Sequence, residues 1–211
     1  MRSSGRREAA AVYESLKGLK IGYAMTGSFC TFERSFEQAV VLREAGAELI
    51  PIMSEKACGT DSRFGKGSDN LSRLRYIAGR EVITDISAAE PIGPNGMTDL
   101  MIIAPCTSNT ASKLAAGITD GAVTMAVKSH LRSGKPVLLA IASNDSLLGT
   151  AKNLGELFNR KSYYFVPMRQ DDWIRKPASL VAEFSLIPEA AAAAMNGIQL
   201  RPLITAEEYG L

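Results

Sequence analysis

Four clusters of small and hydroxyl-bearing residues in this sequence have the composition of anion-binding loops. They are Thr26, Gly27 and Ser28; Ser54; Thr107, Ser108 and Asn109; and Ser143 and Asn144. Glycine lets a backbone approach an anion closely, the first N–H groups of a helix donate to it along a favourable dipole, and hydroxyls add neutral donors. A single cluster of this kind would be an ordinary helix cap. Four clusters that converge on one crevice favour a pocket for a phosphate and a polyol chain.

The first cluster does not match the common nucleotide-binding motifs. A dinucleotide fingerprint needs three spaced glycines, and residues 26–31 contain one, Gly27. The segment also lacks the Gly-Lys-Ser/Thr end of a P-loop. We therefore do not expect this chain to hold NAD or ATP in either of those ways.

Each cluster follows a segment whose apolar pattern predicts a buried parallel strand. These strands cover residues 19–25, 47–53, 100–104 and 137–141, a further strand covers 163–166, and we expect Pro105 to end the third. Six helices are predicted between and after these strands. The first begins at Phe32 and is capped by Gly46, the second covers 70–79, and the third follows residue 110. The fourth covers 120–132 with Asp120 as N-cap, the fifth extends to 160, and the sixth begins at Pro188 and ends before Gly197. Residues 57–98 are otherwise irregular, with a short strand around Val82.

This alternation predicts an α/β fold with an open parallel, Rossmann-like sheet and helices on both faces. Ligands of such sheets bind outside the carboxyl ends of the strands, where the four clusters lie. Since no linker or repeat divides the 211 residues, we expect a flexible extension over 1–17 and one domain over 18–205.

Composition excludes several other classes of function. With 46% hydrophobic and 22% charged residues the chain can bury one sizeable core, and it has no apolar run long enough for a membrane span and no secretory signal. A net charge of +2 without a basic tail gives no reason to expect nucleic-acid binding. Three cysteines, an odd number without close spacing, indicate reduced thiols and a cytoplasmic protein.

Residues 104–120 carry a more specific signal. The run Ala-Pro-Cys-Thr-Ser-Asn-Thr at 104–110, followed by Gly-Ile-Thr-Asp at 117–120, resembles the signature of the FMN-binding cysteine-decarboxylase flavoproteins. The resemblance implies a flavodoxin-like fold in which the four clusters and Pro105 contact FMN. It also implies that the phosphate and ribityl group lie against the first three clusters and that Asn144 lies near the flavin ring.

A closer resemblance is to the family of dipicolinate synthase B subunits. The matching segments, in similar order, are 22–33, 62–67, 89–94, 135–137, 143–145 and 164–167, within a resemblance that covers 19–203. It implies a homotrimer or larger homo-oligomer and a role in sporulation in the mother-cell cytoplasm. It further implies a partner, the dipicolinate synthase A subunit, that uses NAD(P), and oxidation of a dihydro- or hydroxytetrahydro-dipicolinate to pyridine-2,6-dicarboxylate.

Two other functions stay open. The chain could be a non-catalytic phosphate- or flavin-binding subunit that positions or activates the dehydrogenase partner, or an FMN-dependent decarboxylase. The decarboxylases resembled here use a histidine near the site, whereas His130, the one histidine, falls within a predicted helix far from any strand end. That placement disfavours decarboxylation, and no catalytic acid or base stands out.

Two cations in the segment 62–67 could bind a dicarboxylate substrate. Arg63 and Lys66 flank glycines there, and a guanidinium pairs with a carboxylate through two parallel hydrogen bonds. The alternative is that both are solvated loop charges. Cys30, Cys58 and Cys106 lack metal-ligand spacing and are expected to be buried fillers rather than a metal site.

Overall fold

The structure, a computed structural model, describes residues 10–205 and is built on a seven-stranded sheet. Its strands are β1 (Lys20–Met25), β2 (Glu48–Met53), β3 (Leu100–Cys106), β4 (Val137–Ser143), β5 (Tyr163–Phe165), β6 (Met168–Arg169) and β7 (Leu180–Ala182). The strand order is β2-β1-β3-β4-β7-β6, with β5 paired to β4. β1 to β5 are parallel, and β7 is antiparallel to both β4 and β6. The predicted α/β fold is confirmed, and the short antiparallel strands are an addition to it.

The order in which successive strands are added to the sheet reverses at β1. β2 pairs along one edge of β1, where Gly22 lies opposite Ile50, and β3 pairs along the other edge, where Gly22 lies opposite Met101. The loops after β1 and β3 therefore leave the sheet toward opposite faces. In open α/β sheets this arrangement creates a ligand-binding crevice at the carboxyl ends of the two strands.

Helices cover both faces of the sheet. They are α1 (10–16), α2 (Phe32–Glu44), α3 (Glu55–Gly59), α4 (Gly67–Ala78), α5 (Ile86–Ala89), α6 (Ser108–Ala116), α7 (Ala122–Leu131), α8 (Ala151–Phe158) and α9 (Ile187–Met195). Side chains alternate along each central strand: Ile102 packs with α2, α4 and α9, whereas Met101 and Ile103 pack with α6, α7 and α8. Two apolar cores thus lie on either side of one sheet.

Two predicted element ends differ from the structure. Pro105 does not end the third strand: β3 continues to Cys106, and its register with β4 shifts between Ile103 and Cys106. Proline has no N–H to donate to a ladder, which is why it falls at the irregular position. The N-cap of helix α7 is Gly121 and not the predicted Asp120. The Asp120 carboxylate instead pairs with Lys113 Nζ at 2.8 Å.

The N-terminal and middle segments hold more structure than their sequences indicate. Residues 10–16 are helical and Leu16 is fully buried, so this part of the predicted extension packs on the domain, while residues 1–9 lie outside the described residues. In the segment 57–98, the predicted helix is present as α4, but the sequence does not predict α3 and α5. The strand expected near Val82 is a single bridge between Ile52 and Ile83.

Candidate functional site

A cavity with a volume of about 600 Å³ lies at the carboxyl ends of β1, β2 and β3. Its walls include six of the predicted site residues: Thr26, Gly27, Ser54, Thr107, Ser108 and Asn109. Pockets of this size are typical of small-molecule and cofactor sites. The cavity occupies the crevice that the switch between β1 and β3 creates.

A second cavity of about 310 Å³ adjoins the first. The two share Gly27, Thr107 and Ser108, and the second adds Ser28, Ser143 and Asn144. All four predicted clusters therefore meet at one pair of cavities. Pro105, the remaining residue predicted to contact a cofactor, lines neither of them.

Thr26 joins the loops after β1 and β3. Its hydroxyl donates to the Pro105 carbonyl at 2.8 Å and accepts from the Thr107 N–H at 3.0 Å, and its own N–H donates to the same carbonyl at 3.2 Å. Since the side chain is almost fully buried, these bonds occupy the hydroxyl. Thr26 and Pro105 thus position the anion-binding loops rather than supply donors themselves.

Helix α6 directs donors at the larger cavity. The first N–H groups of a helix have no acceptor within the helix. In α6 the N–H of Thr110 donates to the Thr107 hydroxyl at 3.3 Å. The N–H groups of Ser108 and Asn109 at the cavity wall remain for a ligand, together with the favourable end of the helix dipole. Free N–H groups at a helix N-terminus are a common site for phosphate in proteins.

Helix α7 also begins at the larger cavity, but its N-terminus already holds an anion. Glu55 Oε1 accepts from the Ala122 N–H at 2.9 Å, and a side chain at Gly121 would meet the Glu55 carboxylate at 2.8 Å. Lys56 and the ion-paired Lys113 also line this cavity. At α7 the Glu55 carboxylate thus takes the first N–H group, whereas among the described residues no acceptor lies at the first two N–H groups of α6.

Ser54 has the role of a helix cap. Its hydroxyl accepts from the Ala57 N–H at 3.3 Å, at the start of α3, while the residue lines the larger cavity. The cap and the ligand interpretations are therefore compatible at this position, since a serine oxygen that accepts one bond still carries a proton to donate.

An aspartate organises the loop that follows β4. The Asp145 carboxylate accepts from the hydroxyls of Ser143 at 2.6 Å and Thr150 at 3.0 Å, and it also accepts from the Ser108 hydroxyl. These bonds, the one from Ser143 foremost, hold the pKa of Asp145 below its usual value. Asp145 is therefore ionised and engaged in fixing the loop. Asn144 is exposed at the rim of the second cavity.

Two cations of the described chain line the second cavity, and they differ in their partners. Lys176 Nζ lies 2.8 Å from the Asp171 carboxylate, whose other oxygen accepts from Ser179 at 2.6 Å. Arg34, in the first turn of α2, lies over the Phe184 ring at 5.4 Å. Sequence reasoning missed Arg34, although its position six residues after Ser28 places it on the helix that the first cluster introduces.

The structure does not bring Arg63 and Lys66 to either cavity. Both are exposed, and the Arg63 guanidinium lies over the neighbouring Phe64 ring at 4.8 Å. Thr60, earlier in the same connection, is the residue that reaches the wall of the larger cavity. A substrate-binding role for Arg63 or Lys66 stays a prediction.

His130 lies at the opposite end of the sheet. Its Nε2 lies 2.8 Å from the Pro136 carbonyl, which can only accept, so Nδ1 is the acceptor for the Thr98 hydroxyl at 2.7 Å. Burial is the main cause that lowers its pKa, and the ring is therefore neutral at pH 7. His130 is thus away from the cavities at the carboxyl ends of the strands, but it is not far from every strand end, because Pro136 directly precedes β4.

The cysteines lie in three different environments. Cys30 is exposed at the second cavity, Cys58 is half-buried, and Cys106 is buried, which raises its pKa to about 12. Cys30 is thus not the buried filler that the sequence predicts. Within residues 10–205 no group of His, Cys, Asp and Glu residues is arranged to hold a metal ion.

Comparison with known proteins identifies the family. The model of the Flavoprotein family matches residues 9–199. The chain belongs to the Flavoprotein family. Within that family it is 40% identical over 196 residues to the dipicolinate synthase B subunit of Bacillus subtilis strain 168, a match that covers 93% of this chain and 98% of that protein. It is therefore a homologue of the dipicolinate synthase B subunit.

Solved structures share the fold of this chain. The crystal structure of the dipicolinate synthase B subunit from Bacillus halodurans superposes with a TM-score of 0.83 at 36% identity, covering 91% of this chain and 98% of that one. An FMN-dependent cysteine decarboxylase, SpaF, superposes with a TM-score of 0.65 at 20% identity, covering 85% of this chain and 98% of that one, which shows a common fold. Between residues 10 and 205, no helix has the length and apolar character required to cross a membrane.

Proposed function

We propose that this chain is the flavin-binding B subunit of a dipicolinate synthase. It takes part in the oxidation of a dihydro- or hydroxytetrahydro-dipicolinate to pyridine-2,6-dicarboxylate during sporulation, in the mother-cell cytoplasm. The observation that carries the proposal is the pair of unoccupied N–H donors at Ser108 and Asn109, set in a 600 Å³ cavity at the switch point of the sheet. The 40% identity to a dipicolinate synthase B subunit supports the choice of reaction.

The residues of the larger cavity fit FMN. A phosphate would accept from the α6 N-terminus, with Gly27 allowing close backbone approach and the Ser54 hydroxyl as a further donor. A polyol chain would meet the hydroxyl-lined wall, and the second cavity, which shares three residues with the first, gives room for a ring beside Asn144. A bound flavin would supply a two-electron acceptor at the strand ends.

The chain's own residues hold the site in shape. Thr26 fixes the β1 loop to the β3 loop, and Asp145 fixes the β4 loop through Ser143 and Thr150. Oxidation of the dihydro compound removes a hydride and a proton from the ring. A bound flavin, or the nicotinamide of the partner, would supply the hydride acceptor, and the proton would pass to a base or to solvent.

A partner completes the proposed enzyme. The dipicolinate synthase A subunit supplies an NAD(P)-dependent dehydrogenase activity, and the B subunits form a homotrimer or larger homo-oligomer. Light scattering of the purified chain, alone and with the dehydrogenase partner, measures both assemblies. A monomer that does not bind the dehydrogenase partner would contradict this part of the proposal.

A second function is favoured by one specific observation. Among the described residues that line the two cavities there is no histidine, and Asp145 is engaged by hydroxyls that keep its pKa low. A site without a free base suits a flavin-binding protein that positions or activates the dehydrogenase partner without catalysis. The position of His130 at the far end of the sheet gives no support to a decarboxylase.

Titration of the purified chain with FMN tests the proposal directly. A saturable change in the flavin visible spectrum, with quenching of the single tryptophan, Trp173, is the expected result. Absence of FMN binding would overturn flavin binding as a function. Turnover of the dihydro substrate, measured with each of the two proteins alone and with both together, then distinguishes a catalytic role for this chain from one that only positions the dehydrogenase.

A further inference from the structure

We infer that Arg34 binds a ring carboxylate of the substrate in the second cavity. The inference deepens the proposed function and rests on it for the identity of the substrate as a planar cyclic dicarboxylate. It assigns the carboxylate to α2 rather than to the loop that contains Arg63. Four observations lead to it.

Arg34 is placed by a helix rather than by a loop. It lies in the first turn of α2, whose buried face of Phe32, Ser35 and Phe36 packs into the core, and it lines the second cavity together with Ser28 and Cys30. The Phe184 ring lies under its guanidinium at 5.4 Å. A cation over an aromatic face is held in position without use of a carboxylate.

The charge of Arg34 is not compensated by an acid of the described chain. Glu33, the adjacent acidic residue, pairs with Arg73, with 2.6 Å between Glu33 Oε2 and Arg73 Nη1. No ion pair found in residues 10–205 includes Arg34. An arginine without a carboxylate partner at a cavity wall can receive one from a ligand through two parallel hydrogen bonds.

The other charged groups of the second cavity are already satisfied. Lys176 pairs with Asp171, and Asp171 also accepts from Ser179. Asp145 accepts from the hydroxyls of Ser143 and Thr150. Arg34 is therefore the group in this cavity that a carboxylate would stabilise most.

The second cavity also lies where a substrate of this enzyme would need to be. It shares Gly27, Thr107 and Ser108 with the larger cavity, so a ligand anchored at Arg34 would lie beside a flavin ring that enters the same cavity at Asn144. Arg63 is exposed over its neighbour Phe64 and lines neither cavity.

Cys30 provides a reporter that is already in the cavity. It is the exposed cysteine of the three, whereas Cys58 is half-buried and Cys106 is buried. The rate of alkylation of Cys30 by iodoacetamide, followed by peptide mass spectrometry on the full chain, therefore reports access to this cavity. The alkylation rate of Cys58 serves as an internal reference.

The probe is pyridine-2,6-dicarboxylate, titrated into the protein before alkylation. We expect it to slow the alkylation of Cys30 and not that of Cys58. In Arg34→Gln the concentration needed for protection rises about 10- to 100-fold, since a charged bidentate contact is lost. Arg34→Lys, which keeps the charge without the planar fork, gives an intermediate shift. Arg43→Gln, in the last turn of the same helix and bonded to the Ile77 carbonyl, leaves the protection unchanged.

Three results would overturn the inference: no protection of Cys30 in the unaltered protein, equal protection in Arg34→Gln, or loss of protection in Arg63→Gln alone. FMN titration of the same variants keeps the two proposals separate. Arg34→Gln retains FMN binding if the phosphate site at α6 is intact. Arg34-dependent protection in a chain that binds no FMN would support this inference while contradicting the flavin proposal.

Discussion

The two ends of the sheet carry similar polar residues, but they differ in how those residues are hydrogen-bonded. At the amino end, Lys135 Nζ donates to the Thr98 carbonyl at 2.6 Å and pairs with Asp99 at 3.0 Å, and His130 bonds to Thr98 and Pro136. At the carboxyl end, the N–H groups at the start of α6 and the Arg34 guanidinium face cavities without an acidic partner from the described residues. Satisfied polar groups stabilise the fold, and unsatisfied ones are candidates for contact with a ligand.

The largest expected effect is a loss of FMN binding in Ser108→Glu. The new carboxylate lies at the α6 N-terminus, where it competes with the phosphate by occupying its donors and repelling its charge, so the FMN dissociation constant rises by at least about 100-fold. The melting temperature should change little, because the gain from an acid at a helix N-terminus offsets the loss of the Ser108 hydrogen bond to Asp145. Ser68→Glu, in the first turn of α4 and away from the cavities, is the matched control. Equal FMN affinity in both variants would remove the basis for the comparison of the two ends.

Next in size is the effect of Thr26→Val, which tests whether part of the carboxyl end is structural. The change leaves the Thr107 N–H and the Pro105 carbonyl without the Thr26 hydroxyl, so we expect the free energy of unfolding to fall by about 1–3 kcal/mol. FMN affinity should fall less than in Ser108→Glu. Thr31→Val removes one bond, to the Ser28 carbonyl at 2.8 Å, and should cost less in a denaturant titration. An unchanged stability would mean that the hydroxyl does not join the two loops.

At the amino end, His130→Ala should lower stability without changing FMN affinity. The Thr98 hydroxyl and the Pro136 carbonyl lose a buried partner, which costs about 1–3 kcal/mol in the free energy of unfolding at pH 7. Calorimetry and FMN titration measure the two quantities. A variant that is as stable as the unaltered protein, or that loses FMN, would contradict the structural role.

The same histidine makes stability depend on pH. Burial lowers the pKa of folded His130 below its usual 6.5, with Lys135 lowering it further and Asp99 opposing. The unfolded chain therefore binds a proton at a higher pH than the folded chain, so this contribution is present above pH 6.5 and decreases as the pH falls below it. Melting temperatures from pH 7.5 to 5 should fall more steeply in the unaltered protein than in His130→Ala. Parallel curves would show that another group controls the pH dependence.

The smallest effect is expected for Asn144→Ala. Asn144 is exposed at the second cavity, so its loss should leave the melting temperature unchanged and weaken FMN binding by about two- to fivefold. Asn95→Ala, at an exposed turn elsewhere, is the control. A loss of FMN affinity as large as that in Ser108→Glu would indicate that the second cavity makes the main contacts to FMN.

Much of the fold is predictable from sequence because its signals are local. Buried runs such as β3 and the first six residues of β4 are apolar, and glycines such as Gly46, at φ +89°, end helices. The two-residue β6 and three-residue β7 carry too few residues to show a period, and α3 and α5 are too short for an amphipathic pattern. The prediction that Pro105 ends a strand is wrong because its neighbour Cys106 rejoins the sheet after a shift of register.

The candidate site divides in the same way. The four clusters follow strands, so the parallel sheet itself brings them together, and the structure places them at adjoining cavities. The positions of long arginine and lysine side chains are harder to predict than those of the four clusters, because tertiary packing determines where their charged ends lie. Glycines beside Arg63 suggest a binding loop, yet Arg63 lines neither cavity. Arg34 lines the second cavity from helix α2, whose sequence contains no motif that indicates a binding site.

The Glu55 carboxylate at the start of α7 also bears on which flavin nucleotide the crevice admits. One helix end is open to a single phosphate, while the other is closed by a carboxylate that accepts from the Ala122 N–H at 2.9 Å. A ligand whose second phosphate approached α7 would have to expel that carboxylate and meet its charge. If the crevice binds FMN as proposed, we therefore expect it to favour this mononucleotide over a dinucleotide.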